Sequence, residues 1–133
     1  MSDMIPYGKQ LINAADIQAV TEVLQSDYLT QGPQIPLFEM AIAQQCDAQY
    51  AVAVNSATSA LHIACLALGL EHGDWVWTSP NTFVATANCA RYCGAEVDFV
   101  DIDPLTYNMS VATLTEKLAA AEALGKLPKI VIP

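Results

Sequence analysis

Apolar positions recur at helical spacing over the first third of the chain and then give way to short apolar runs alternating with helices. Over residues 13–26, Ile17, Val20, Val23 and Leu24 share one face and Asn13 can cap the start, which predicts an amphipathic helix. Residues 27–33 contain Gly32 and Pro33 and read as a loop. A second helix, about residues 35–45, carries Leu37, Phe38, Ala41 and Ile42. The period then changes. Residues 50–54 read as a short strand and 57–68 as a helix, with Gly69 and Gly73 bracketing a turn. A second strand at 75–78 leads into a helix at 82–92 that Gly94 stops. A third strand covers 96–100, a third helix runs from Ser110 or Thr113 to Leu124, and a fourth strand covers 129–132. Strands alternating with helices of this length predict parallel β-α-β units with helices on both faces, an α/β fold. The chain stops at Pro133, directly after an apolar strand, where a ligand-binding loop begins in a parallel sheet. The expectation is a piece of a longer protein.

With 133 residues, 53% of them hydrophobic, the chain can build a real core. Five basic against fourteen acidic side chains give a net charge of −9, which argues against nucleic acid or an anionic membrane as partner. An anionic ligand would have to be held by local devices. Residues 1–6 show neither a basic start nor an apolar run, and the apolar stretch at 57–70 is too short to span a bilayer. No membrane partner and a cytoplasmic location are expected. Cys46, Cys65, Cys89 and Cys93 form no Cys-x-x-Cys pair and read as buried reduced thiols, with no metal site.

The chemistry is concentrated in Val52-Ala53-Val54-Asn55-Ser56-Ala57-Thr58-Ser59-Ala60-Leu61-His62. A strand, a turn of small polar residues and a helix leave unpaired N–H groups at the helix start. The macrodipole adds partial positive charge there, and a phosphate dianion fits such a place. Ser56 and Thr58 add hydroxyl donors, and Ala57 lets a phosphate approach the backbone. The same residues also read as an ordinary cap, with Asn55 or Ser56 closing the helix. The next strand ends in Thr78-Ser79-Pro80-Asn81, and Thr82-Phe83 follows. Parallel neighbours would bring the two loops side by side. Phe83 then either lies flat on an aromatic ring or packs into the core.

Taken in order, these segments resemble the DegT/DnrJ/EryC1/StrS family of sugar aminotransferases, which use pyridoxal 5'-phosphate (PLP). The resemblance runs through Ile5-Pro6-Tyr7, Leu29-Thr30-Gln31-Gly32-Pro33, Phe38-Glu39, the stretch from Tyr50 to His62, and Gly73-Asp74. It continues in Pro80-Asn81-Thr82-Phe83-Val84-Ala85-Thr86-Ala87-Asn88, Gly94-Ala95 and Asp101-Ile102-Asp103-Pro104-Leu105-Thr106-Tyr107-Asn108. Ala57 stands where the family usually has glycine; the N–H survives. The run from Trp77 to Ala85 and Asn88-Cys89-Ala90-Arg91-Tyr92-Cys93-Gly94-Ala95 are most similar to the branch that works in pseudaminic acid biosynthesis. That branch transfers an amino group from glutamate to C4 of a UDP-linked 4-keto-6-deoxy-N-acetylhexose.

The resemblance implies a three-layer αβα architecture, the N-terminal part of the fold type I (aspartate aminotransferase-like) large domain. It implies an N-terminal helix with an active-site and interface loop at 1–33, and the first half of the PLP-binding domain at 34–133. It sets the strand at 75–79 between those at 96–100 and 129–132, leaving the 50–54 strand to shift, pair elsewhere or stay detached. Ser56, Ala57 and Thr58 would bind the cofactor phosphate and Phe83 would stack on the pyridine ring. Tyr7, Thr30 and Gly32 would lie on the nucleotide-sugar side, near a homodimer interface. Asp101, Asp103 and Pro104 would shape a turn. No catalytic residue is expected, because the family's Schiff-base lysine and pyridine-nitrogen aspartate lie further along its chain. Lys9, Lys117, Lys126 and Lys129 follow no matching motif. The implied activity belongs to a longer parent; the alternative is a catalytically inert phosphate-binding or assembly fragment. A nucleotide-binding oxidoreductase is disfavoured, since no Gly-x-Gly-x-x-Gly follows the first strand.

Overall fold

A computed structural model of the chain describes residues 7–133. It divides into two compact units, Met1–Ala53 and Val54–Pro133. The leader reading of residues 1–6, and Ile5 and Pro6 of the first motif, lie outside the described residues.

The first unit holds α1 (Ala14–Leu24) and α2 (Gln34–Gln45). Asn13 opens α1 as expected. Its Oδ1 accepts from the Ala15 and Asp16 N–H groups at 2.8 and 3.2 Å, and the Asp16 carboxylate accepts from the Asn13 N–H at 2.9 Å. The reciprocal pair satisfies donors that a helix start leaves orphaned. α2 ends with Asp47 in the left-handed region at φ 50°. There the Ala48 N–H reaches the Ala43 carbonyl at 2.9 Å. None of the described residues of this unit is buried, the stripe of Ile17, Val20 and Leu24 included.

Residues 50–54 do not form the expected strand. Tyr50 and Val52 are 78% and 75% exposed. The Ala53 N–H finds a side chain instead, donating to Glu39 Oε1 at 2.8 Å. Apolar alternation encodes which side chains share a face, but a strand exists only where neighbouring backbone supplies the ladder.

The second unit runs α3 (Ala57–Ala67), β1 (Trp75–Thr78), α4 (Ala85–Tyr92), β2 (Glu96–Phe99), α5 (Val111–Ala123) and β3 (Ile130–Ile132). All three strands are parallel in the order β2-β1-β3, so the strand expected in the middle is there. Trp75 pairs with Glu96 and Thr78 with Phe99; on the other side Val76 pairs with Ile130 and Thr78 with Ile132. Alternation along β1 sends side chains into two cores. Val76 joins Cys65, Leu70, Cys89, Ala90 and Ala95, with Leu61 and Ile130 against them, on the α3/α4 side. Trp77 joins Val100 and Ala121, with Leu114, Leu118 and Val131, on the α5 side. The layering is αβα.

The α3, α4 and α5 helices end alike. Gly69, Gly94 and Gly125 each take the left-handed conformation just past the helix, at φ 69°, 78° and 64°. The next N–H returns to the helix: Leu70 to the Cys65 carbonyl at 3.0 Å, Ala95 to Ala90 at 3.1 Å, Lys126 to Ala121 at 2.9 Å. This closure turns each helix into the following strand. One boundary differs from expectation. α4 begins at Ala85 and not at residue 82, because Val84 offers no capping side chain and Thr82 bonds sideways, Oγ1 to Thr86 Oγ1 at 3.1 Å.

Candidate functional site

The α3 N-terminus forms where the small polar turn placed it. Ser56 is extended (φ −158°, ψ 152°), and its Oγ accepts from the Ser59 N–H at 3.2 Å. Ser59 Oγ lies 3.0 Å from Ser56 Oγ and donates to Asn55 Oδ1 at 3.1 Å. The cap is therefore real, and it consumes the third amide of the helix. Ala57 and Thr58 occupy the first two helical positions, whose N–H groups have no carbonyl one turn back. No acidic residue sits in this first turn. Capping and anion binding are thus compatible: the cap fixes the turn and leaves two amides outward.

Phe83 lies in the connection between β1 and α4 and is 73% exposed, so core packing does not account for it. The carboxyl ends of the strands, where open α/β sheets take ligands, carry a cavity of about 410 Å³. Ser79, Asn81 and Thr82 after β1, Tyr107 and Asn108 after β2, and Pro133 after β3 line it. Its wall is built by the loop after β2. There Asp103 Oδ1 accepts from the Leu105 and Thr106 N–H groups, both at 2.9 Å, and Ile102 bridges back to Met109. The two N–H groups of Thr106 and Leu105 hold the Asp103 carboxyl below its ordinary pKa. Asp101 and Asp103 thus shape the turn. Tyr107 and Asn108 entered the sequence reading only as the end of the Asp101-to-Asn108 segment, with no role given; their place in the loop after β2 was the available signal. At the end of β1, Thr78 Oγ1 is buried without a hydrogen-bond partner.

Ser56, Ala57, Thr58 and Phe83 all lie in the second unit, outside the lining of the carboxyl-end cavity. Tyr7, Thr30 and Gly32 belong to the first unit. Tyr7 and Thr30 are exposed, and Gly32 packs so closely that an added Cβ would meet Tyr28 Cβ at 2.7 Å.

A phosphate-bearing aromatic cofactor fits what is present in part. Two free amides, a hydroxyl and an exposed phenyl ring are suitable donors and a suitable face. Two of the four lysines are engaged elsewhere. Lys117 pairs with Asp98 at 2.6 Å, and Lys129 pairs with Asp74 at 2.7 Å and donates to the Gly69 carbonyl. Lys129 precedes β3, its N–H on the Trp75 carbonyl, at the end of the sheet away from the carboxyl rim. The hydrogen bond from Lys129 holds the Asp74 carboxyl below its ordinary value.

Of the four thiols read as buried, Cys65 and Cys89 are buried, Cys93 is half-buried at the end of α4, and Cys46 is exposed at the end of α2, where no partner element covers that turn within its unit. Cys65 and Cys89 are buried with sulfurs 3.6 Å apart. Burial, then the bond to Cys89, pushes the Cys65 thiol up to about 12. No group of three or more His, Cys, Asp or Glu among the described residues could hold a metal ion.

Three layers on a parallel sheet, a helix start with two free amides and a cavity at the carboxyl ends of the strands define an α/β unit. The DegT/DnrJ/EryC1/StrS aminotransferase family matches residues 10–132, and the chain belongs to that family. It is 46% identical over 110 residues to the spore coat polysaccharide biosynthesis protein SpsC of Bacillus subtilis, covering 83% of this chain and 28% of SpsC. It is also 46% identical over 99 residues to a UDP-4-amino-4,6-dideoxy-N-acetyl-beta-L-altrosamine transaminase of Campylobacter jejuni, covering 74% of this chain and 26% of that protein. Among solved structures, it superposes with a TM-score of 0.79 and 29% identity on the PLP form of Spr1654, a Streptococcus pneumoniae protein assigned as a sugar aminotransferase. That match covers 84% of this chain and 29% of the other. The chain thus spans little more than a quarter of the length of the curated relatives it matches.

Proposed function

We propose that this chain is the amino-terminal half of the PLP domain of a sugar-nucleotide aminotransferase. Membership of the family over residues 10–132 and the two outward amides at the start of α3 carry this reading. The Ala57 and Thr58 amides, with the Ser56 and Thr58 hydroxyls, hold the phosphate, and the helix dipole supplies the favourable field. Phe83 covers one face of the pyridine ring. Tyr7, Thr30 and Gly32 lie on the nucleotide-sugar side of a homodimer interface. Residues 1–33 form the interface segment and 34–133 the first half of the cofactor domain. When bound, PLP supplies the electron sink through which an amino group passes between donor and acceptor. The similarity to the Campylobacter transaminase supports a UDP-linked 4-keto-6-deoxy-N-acetylhexose as acceptor, aminated at C4, with glutamate as donor.

The chain alone binds PLP weakly and transfers no amino group, since Lys117 and Lys129 are held in ion pairs and Lys129 stands at the end of the sheet opposite the carboxyl rim. The setting is the cytoplasm, where nucleotide sugars are made; no helix among the described residues is long and apolar enough to cross a membrane. The test is an amide-resolved NMR titration with PLP and with inorganic phosphate, alongside a glutamate and 4-keto sugar nucleotide assay. Saturable shifts at Ala57 and Thr58 with no turnover are expected. Static Ala57 and Thr58 resonances would remove the phosphate site, and turnover with one stoichiometrically labelled lysine would overturn the claim of inactivity.

A further inference from the structure

We propose that the slot between β1 and α5 is a binding site for a small aromatic monoanion. Trp75 and Trp77 are two residues apart on β1 and so face the same side of the sheet. α5 covers that side and presents Ala120 and Ala121, whose small side chains leave a cavity of about 220 Å³. That volume suits a single ring or a fused pair, and the two indoles offer it faces and edges for stacking.

Charge decides what the ring must carry. Asp98 also lines the slot, but Lys117 bonds it at 2.6 Å while lying 4.9 Å from the centre of the Trp77 ring. On Asp98 the largest influence, burial, pushes the carboxyl up; the Lys117 and Phe99 hydrogen bonds outweigh it, and the group stays ionised and paired. Lys126 is the remaining charged group of the lining. The closing turn of α5 fixes its backbone, with the Lys126 N–H on the Ala121 carbonyl at 2.9 Å. In a chain with only five basic side chains, Arg91, Lys117 and Lys129 are each in an ion pair. Lys126 has none among the described residues. An apolar floor of two indoles with one uncompensated ammonium at its edge complements a planar ring bearing a carboxylate. A cationic ring would meet the one net positive charge of the lining, and a neutral one would leave Lys126 without a partner.

The chain's only two tryptophans both line the slot, so their indole N–H resonances report on it directly. Benzoate is titrated against the isotopically labelled chain, with benzyl alcohol as the neutral comparison. Both indole signals should move and saturate with benzoate, and benzyl alcohol should bind more weakly. Lys126→Glu should weaken benzoate about fivefold or more, in keeping with gain and reversal of one exposed charge pair, and leave benzyl alcohol unchanged. Ala120→Phe, which fills the slot from an exposed position, should abolish both responses. The proposal fails if the indoles do not respond, if acid and alcohol bind alike, or if Lys126→Glu has no effect. It fails equally if the indole signals shift with protein concentration alone, which would make a second copy the occupant.

Discussion

Replacing Thr78 by valine should make this protein more stable. Thr78 ends β1 and is fully buried, and its Oγ1 has no hydrogen-bond partner. Folding strips that hydroxyl of water and returns nothing, a penalty of about 1–3 kcal/mol. Valine keeps the branched shape and the strand preference while turning the hydroxyl into a methyl. The backbone is untouched: the Thr78 carbonyl still accepts from the Val100 N–H at 2.9 Å. The expected gain is about 1–2 kcal/mol, the lower part of the penalty, because the new methyl must fit an existing space. For a unit of this size that raises Tm by roughly 4–8 °C per kcal/mol. Thermal melts by circular dichroism and urea titrations would read it, with an unchanged urea slope. Thr78→Ala is the control. It removes the hydroxyl and a buried methyl together and should forfeit the gain by opening a cavity. A Thr78→Val protein melting below the parent would refute the reasoning and mean that the hydroxyl has an acceptor in solution.

Two further substitutions bear on other elements. Asp47→Gly should stabilise by about 0.5–1 kcal/mol, because Asp47 holds the left-handed position after α2 at φ 50° that glycine adopts without Cβ strain; urea midpoints check this. Asp103 has a carboxyl below its ordinary 3.8 through the Thr106 and Leu105 N–H groups, so its contribution is complete above that value and is lost as pH falls through the lowered one. Asp103→Asn should therefore flatten the acid limb of a stability-versus-pH curve below about pH 4, the ordinary carboxylate range, and an unchanged limb would count against the turn's role.

Much of the second unit could be read from the chain because its signals are local. Asn55 to Thr58 announce a helix start by their size and polarity, and Gly94 announces the end of α4. The middle position of β1 followed from the family resemblance, not from the pattern, since alternation carries no information on neighbours. The same limit explains residues 50–54, whose apolar run is genuine but has no ladder. Phe83 was ambiguous because an aromatic side chain reads equally as core or as platform; its exposure depends on how the Ser79–Val84 turn is drawn, and Thr82 bonding to Thr86 settles that. Tyr107 and Asn108 reach the rim only because Ile102 and Met109 pair across the loop, a contact that no periodicity encodes. The slot beside α5 was hidden for a similar reason: it exists only because Ala120 and Ala121 fail to fill the space above Trp75 and Trp77.

The strand order has a consequence for how the chain is made. β1 sits at the centre, yet both of its neighbours come later in the sequence. On a ribosome working at about 5–20 residues per second, Ile132 follows Thr78 by roughly 3–11 s. Through that interval the most buried strand of the protein, with two indoles on one side and Val76 on the other, has both edges open. It offers an unpaired apolar template to any nascent neighbour. Newly made chains should therefore need escort most while α4, β2 and α5 are being synthesised, and a trigger-type chaperone would be expected to leave only once β3 has docked.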